Sequence, residues 1–239
     1  MTNQQNIIGI IGAMEIEIEH IVSNMKNIDT QDIFGLTFYH GEFANKNVVV
    51  CRSGIGKVNA ARTTQIMLDN FKPTHIINSG VAGAISSKLS IYDIVISDEL
   101  VQHDVNVSFF GHPLGVIKSS GVGYFAACKG IIDIAKDCIT STAFDNKNIS
   151  LHIGRIATGD QFIATTEQKD IIAQNFNALC AEMEGAAIAQ VCTMADIPFI
   201  VIRVISDKAN GSASVDFTEF AEVAARLSSE VVFGIIRGL

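Results

Sequence analysis

Apolar positions along the chain fall into short dense runs, separated by glycine-bearing or polar segments and by stretches with helical spacing. The densest run is PFIVIRVISD, Pro198 to Asp207, rich in Ile and Val as a strand buried on both faces must be. Runs of the same kind lie at Ile7 to Ile11, Thr74 to Asn78, Ile91 to Ser97 and Ile149 to Thr158, with a shorter one at Ala178 to Glu182. Leu36 to Phe43 and Val48 to Arg52, joined by the short turn Ala44 to Asn47, predict a hairpin or meander, and therefore a mixed sheet. Helices are predicted after Gly12, from SGIGKVNAA to about Asn70, before Cys138, and after Thr165, where Gln168 completes a capping box. Another starts at Gly185 with Ala187, Ile188 and Val191 on one face. The last carries Phe217, Phe220, Ala224, Leu227, Val231 and Ile235 on one stripe, the pattern of a helix docked on a sheet. His112 to Tyr124 has no clear pattern. Strands alternating with helices give an α/β fold.

Composition narrows the function more than the fold. At 239 residues, without repeat, low-complexity segment or linker, the chain is expected to form a single domain over residues 1–239. Although 48% of residues are hydrophobic, no uncharged run approaches the roughly 20 residues of a membrane span. MTNQQN lacks the basic start of a signal peptide, so a cytoplasmic location is expected. Five cysteines without a CxxC pair indicate neither a disulfide framework nor a zinc knuckle. A net charge of -8 with no Lys/Arg run argues against nucleic acid and for a small-molecule partner. Neither His103 nor His112 has a second ligand at metal spacing, and SGIGK is not a GxxxxGK[ST] loop; no metal and no cofactor is expected.

Candidate chemistry collects at strand ends. Arg203, Ser206 and Asp207 close the run from Pro198, where the crevice of an open α/β sheet lies. Asp207 there is either a proton donor or ligand grip, or a loop cap. Glu182, Met183 and Glu184 end another strand on the same predicted sheet edge, and two carboxylates flanking a Met are hard to explain by packing. SGIGKVNAA and SGVAGA read as two glycine turns after strands, which suggests one shared crevice with backbone N–H groups facing a ligand. Glu15, Glu17 and Glu19 open a helix, where carboxylates also compensate the helix dipole. The polar connection Asp98 to Gly111 holds His103, Asp104 and the pair Phe109 and Phe110, which either covers a ligand, meets another subunit or packs within the loop.

GAMEIE, SGIGKVNAA, SGVAGA, HDVNVSFFG, TGDQFI, EMEGAAIAQVC and IPFIVIRVISD occur in one order across nearly the whole chain. Together they resemble the 5′-methylthioadenosine/S-adenosylhomocysteine nucleosidases of the purine nucleoside phosphorylase-like superfamily. The resemblance implies a three-layer α/β/α sandwich around a mixed, strongly twisted sheet. It implies cleavage of the N-glycosidic bond of a 5′-modified adenosine by water, without a cofactor. Asp207 would protonate adenine N7, Glu184 would grip the ribose hydroxyls with Met183 on the sugar, and Glu17 would activate the water. Phe162 would stack on the purine, the backbone of Ile163 would bond its edge, and Gly83 would line the ribose site. Arg203 and Ser206 would hold Asp207. Ile55, Val107, Phe110 and Phe217 would form the pocket for the 5′-substituent, partly completed by the second subunit of a homodimer. The chain departs from the family at Val81, where a small hydroxyl residue is usual, at Asn106 and His112 for Asp and Tyr, and after Gly111, where a YGQ-type stretch is absent. Two rivals share the residues: a nucleoside phosphorylase, which would place an Arg near Ile16, and a non-catalytic adenosine-binding sensor.

Overall fold

The computed structural model describes residues 6–116, 123–141 and 149–239. Residues 1–5 of the N-terminal segment and residues 117–122 of the unpatterned stretch lie outside them. The first half-sheet is built from β1 (Ile7–Gly12), with β4 (Lys46–Arg52) and β5 (His75–Ala84) parallel on either side. β3 (Leu36–Phe43) and β2 (Lys26–Ile33) extend it antiparallel beyond β4. On the other side of β5 the sheet rolls up. β10 (Phe199–Asp207) lies parallel to β5 and antiparallel to β6 (Ile94–Gln102). β6 is parallel to β8 (Leu151–Thr158), β8 to β9 (Cys180–Glu182), and β9 returns antiparallel to β5. β7 (Tyr124–Ala126) pairs with the edge of β6. The sheet is thus mixed, ten-stranded and closed on itself around β5.

Alternation along β1 feeds two apolar layers, with Ile8 and Ile10 on one face and Ile11 on the other. The first face is covered by α1 (Glu15–Ser23), α3 (Lys129–Ser141) and the long α6 (Ala213–Gly238), through Ile18, Ile131, Val231 and Ile235. The second is covered by α2 (Lys57–Phe71) and α5 (Gly185–Met194), through Met67, Ile188 and Cys192. α4 (Thr166–Phe176) closes a smaller cluster of Ile163, Ile172 and Phe176 at one end. This is the layered α/β architecture expected. Thr165 caps α4 as expected, its Oγ1 accepting from the Gln168 N–H at 3.2 Å.

Four details differ from the sequence reading. SGVAGA is not a turn: β5 runs straight through it to Ala84. The connection after Ser97 begins as strand, because β6 resumes pairing with β8 at Leu100 after a register shift. β2 and β7 were not anticipated, and α6 starts at Ala213, ahead of the predicted stripe that begins at Phe217. Among the described residues, no helix is long and apolar enough to cross a membrane.

Candidate active site

β10 stays paired with β5 to its last residue, Asp207 opposite Gly83, after a register shift that leaves Ser206 without a partner on β5. The Asp207 carboxyl is buried, at 2% exposure, and has two neighbours of its own chain. Ala209 N–H donates to Oδ1 at 2.8 Å, and the Ser206 hydroxyl lies 3.1 Å from Oδ2. Burial pushes its pKa up, and these two groups pull the other way. Gly83 faces it across the ladder: a Cβ there would come within 2.7 Å of Oδ1. Only glycine leaves room for the acid.

The acidic start of α1 splits in two. Glu15 and Glu19 face solvent, Glu15 lying 3.4 Å from Arg52. Glu17 points inward and is 4% exposed. Its Oε2 accepts from the N–H groups of Ala13 at 2.7 Å and Met14 at 2.9 Å, and its Oε1 from Val81 N–H at 3.1 Å. Burial raises its pKa; the Arg203 guanidinium and the three N–H groups oppose that rise. A Cβ on Gly80 would sit 2.6 Å from Glu17 Oε1. The small residues of SGVAGA therefore make space for two carboxyls instead of bending the chain.

β9 delivers Glu182 and the segment after it delivers Met183 and Glu184. They meet Asp207 through sheet closure, since β9 runs opposite to β5, and not by sharing a parallel sheet edge. Glu184 Oε1 accepts from Gly56 N–H at 2.8 Å, where φ of +99° suits glycine. Burial and then the Glu182 charge push the Glu184 pKa up to about 8, with Arg203 and the Gly56 N–H opposing. Glu182 itself is saturated with donors: the Arg203 guanidinium, the Thr158 hydroxyl, Gly185 N–H at 2.7 Å and Glu184 N–H at 3.1 Å. Arg203 also donates to Asn78 Oδ1 at 2.6 Å. So Arg203 does not hold Asp207, as the resemblance implied; it neutralises Glu182 between Glu17 and Glu184. Ser206 does contact Asp207. The role of Glu182 was not foreseen, because it depends on closure.

These groups border a cavity of about 380 Å³. Glu17, Glu182, Glu184, Ser206 and Asp207 supply its polar points, and Val81, Gly83, Met183, Ile55, Phe162 and Phe217 its apolar walls. Phe162 and Phe217 meet edge to face, with ring centroids 6.0 Å apart. The Ile163 side chain is buried with Ile172 and does not line the cavity. Val107 and Phe110 do not line it either: Phe110 packs edge-on against Phe109, and both rings are exposed, at 72% and 93%. Within one chain, the 5′ pocket expected from Ile55, Val107, Phe110 and Phe217 is therefore only half present. Asn106 caps the short turn before Phe109, accepting from Ser108 N–H at 3.0 Å, and His112 does not reach the cavity. Among the described residues no Lys or Arg side chain lines it, and no three His, Cys, Asp or Glu side chains form a metal-holding group. An acid, a base and a hydroxyl grip around an apolar slot can cleave a neutral glycoside.

The phosphorylase superfamily model matches residues 7–237. A 5′-methylthioadenosine/S-adenosylhomocysteine nucleosidase of Shewanella loihica is 40% identical over 97% of this chain and 99% of its own. The chain belongs to this nucleosidase family. Its fold superposes on the nucleosidase of Neisseria meningitidis, crystallised with methylthio-immucillin-A, with a TM-score of 0.93, 35% identity and coverage of 98% and 100%. Futalosine hydrolase of Helicobacter pylori is similar too, with a TM-score of 0.92, 35% identity and complete coverage of both chains. Both neighbours carry the names of hydrolytic enzymes, although the superfamily is named for phosphorylases.

Proposed function

We propose that the enzyme hydrolyses the N-glycosidic bond of 5′-methylthioadenosine, S-adenosylhomocysteine and related 5′-modified adenosines, releasing adenine and the 5′-thioribose. The observation that carries this reading is that Glu17, Glu184 and Asp207 line one cavity, beside Glu182, whose carboxyl is taken up by Arg203 and Thr158. Adenine leaves poorly as an anion, so a proton must reach its N7 as the bond breaks. Asp207, whose pKa burial raises, supplies it. Positive charge then develops on the ribose, and the ionised form of Glu184, which Arg203 and the Gly56 N–H favour against burial, stabilises it while accepting from the 2′- and 3′-hydroxyls. Glu17, held by its three backbone donors, takes a proton from the attacking water. Phe162 stacks on the purine, the Ile163 backbone bonds its edge, and Met183 packs on the sugar.

Among the described residues no cation lines the cavity, which supports water over phosphate as nucleophile, since a dianion beside Glu17 and Glu184 would be repelled by a few kcal/mol. The exposed Phe109 and Phe110, with Ile55 and Val58 also open to solvent, fit a homodimer whose partner completes the 5′ wall. A cytoplasmic location fits the free thiols of Cys51, Cys128, Cys180 and Cys192. Adenine release from 5′-methylthioadenosine tests the catalytic reading against a sensor. Asp207→Asn should lower turnover by about 100-fold or more with the fold intact; equal rates in both proteins would favour a sensor.

A further inference from the structure

Two site residues, Gly56 and Phe162, stand on segments that no strand holds in place. Gly56 lies in the turn before α2, and Phe162 in the loop between β8 and α4. The two segments are tied together by one shielded ion pair. Lys57 Nζ donates to Asp104 Oδ1 at 2.6 Å and to Gln102 Oε1 at 3.1 Å, both charged side chains being only 17% exposed. The other oxygen of Asp104 accepts from Asp160 N–H at 3.0 Å, and Asp160 Oδ1 accepts from the backbone N–H of Lys57 at 2.8 Å. Gln102 continues the chain to Gln190 of α5 at 2.8 Å. The loop is thus closed: Lys57 side chain, Asp104, Asp160, Lys57 backbone. There is no slack, because a Cβ on Gly56 would already lie 3.1 Å from Asp160 Oδ1.

We propose that Lys57 and Asp104 are a positioning pair for the reaction, setting the Gly56 N–H against Glu184 and the Phe162 loop over the cavity. This rests on the nucleosidase reading, in which Glu184 must be ionised to accept from the ribose hydroxyls. The pair touches neither substrate nor Glu184. The charged and titratable groups that do face Glu184 are Glu182 from β9, Arg203 from β10 and Glu17 from α1, with the Gly56 N–H from the turn; Asp207 lines the same cavity. Of these, only the Gly56 donor depends on the pair. If the turn retreats, Glu184 loses a hydrogen bond that favours its charged form, and it ionises at higher pH.

The test is the pH profile of kcat/KM for adenine release by wild type, Lys57→Met, Asp104→Asn and Lys57→Arg. Lys57→Met and Asp104→Asn should both move the acid limb to higher pH, by about one pH unit, the scale of one lost hydrogen bond to a carboxylate. Lys57→Arg should restore the wild-type limb. A through-space charge effect would shift the two variants in opposite directions, and a structural role alone would lower the unfolding temperature and leave the limb in place. Either result overturns the proposal. Should Lys57→Met fail to fold, isosteric Asp104→Asn decides alone: removing a negative charge through space lowers the limb, whereas positioning raises it. A wild type that releases no adenine overturns the nucleosidase reading itself; an active wild type with unmoved variant limbs overturns only the pair.

Discussion

Replacing Glu184 by Gln should make the ligand-free protein more stable, and increasingly so as the pH rises. The carboxyl is 6% exposed, and burial with the nearby Glu182 charge moves its pKa from 4.5 to about 8. Between those two values the native state keeps a proton that the unfolded chain has released. Stability follows the difference in bound protons between the unfolded and native states, so it falls as pH rises through this window. Integrated across the window, the cost at about pH 8 and above has an upper bound of about 5 kcal/mol. Gln keeps the shape and can still accept from the Gly56 N–H, but it does not titrate. Urea unfolding of both proteins at about pH 5 and about pH 8 gives a double difference in which other titrating groups cancel. Gln should gain on wild type by a few kcal/mol from the lower pH to the higher, while catalysis is lost. A double difference of zero, or one in which wild type gains, would refute a proton-holding Glu184.

Two further substitutions probe the same cluster. Arg203→Met leaves Glu182 buried beside Glu17 and Glu184 without its cation, and should cost about 3–5 kcal/mol in urea unfolding. Gly80→Ala places a methyl 2.6 Å from Glu17 Oε1, so Glu17 must move; kcat should fall by about 100-fold, the cost of misplacing a catalytic group by about 1 Å, with a far smaller change in KM.

Sequence patterning exposed the parts of the fold whose side chains face two layers. β10 is buried at every position and reads as apolar throughout, so its boundaries and its terminal Asp207 were visible. β2 lay beyond reach for the opposite reason. KNIDTQDI is exposed along nearly its whole length and is held by backbone pairing to β3, which leaves no mark in residue type. The glycines of SGVAGA carried a true signal that was misassigned: they are demanded by the neighbouring carboxyls at Gly80 and Gly83, not by a turn. Glu17 could not be told from Glu15 and Glu19 by residue type, since all three suit a helix start; the family motif singled it out, and its inward position at the third residue of α1 gives the physical reason. Glu182 and Arg203 were both singled out, but their pairing was not, because it depends on β9 closing the sheet against β5, a long-range contact. Val107 and Phe110 carried an expectation that one chain alone does not meet.

The central claim is that water, not phosphate, attacks the sugar. Its most direct measurement is the reaction of wild type with 5′-methylthioadenosine in rigorously phosphate-free buffer and again with phosphate added, following adenine and identifying the sugar by mass. With Glu17 and Glu184 lining the cavity and no cation on its wall among the described residues, the rate should be the same in both buffers and the product a free 5-methylthioribose. A rate that requires phosphate, with the sugar 1-phosphate as product, would contradict hydrolysis.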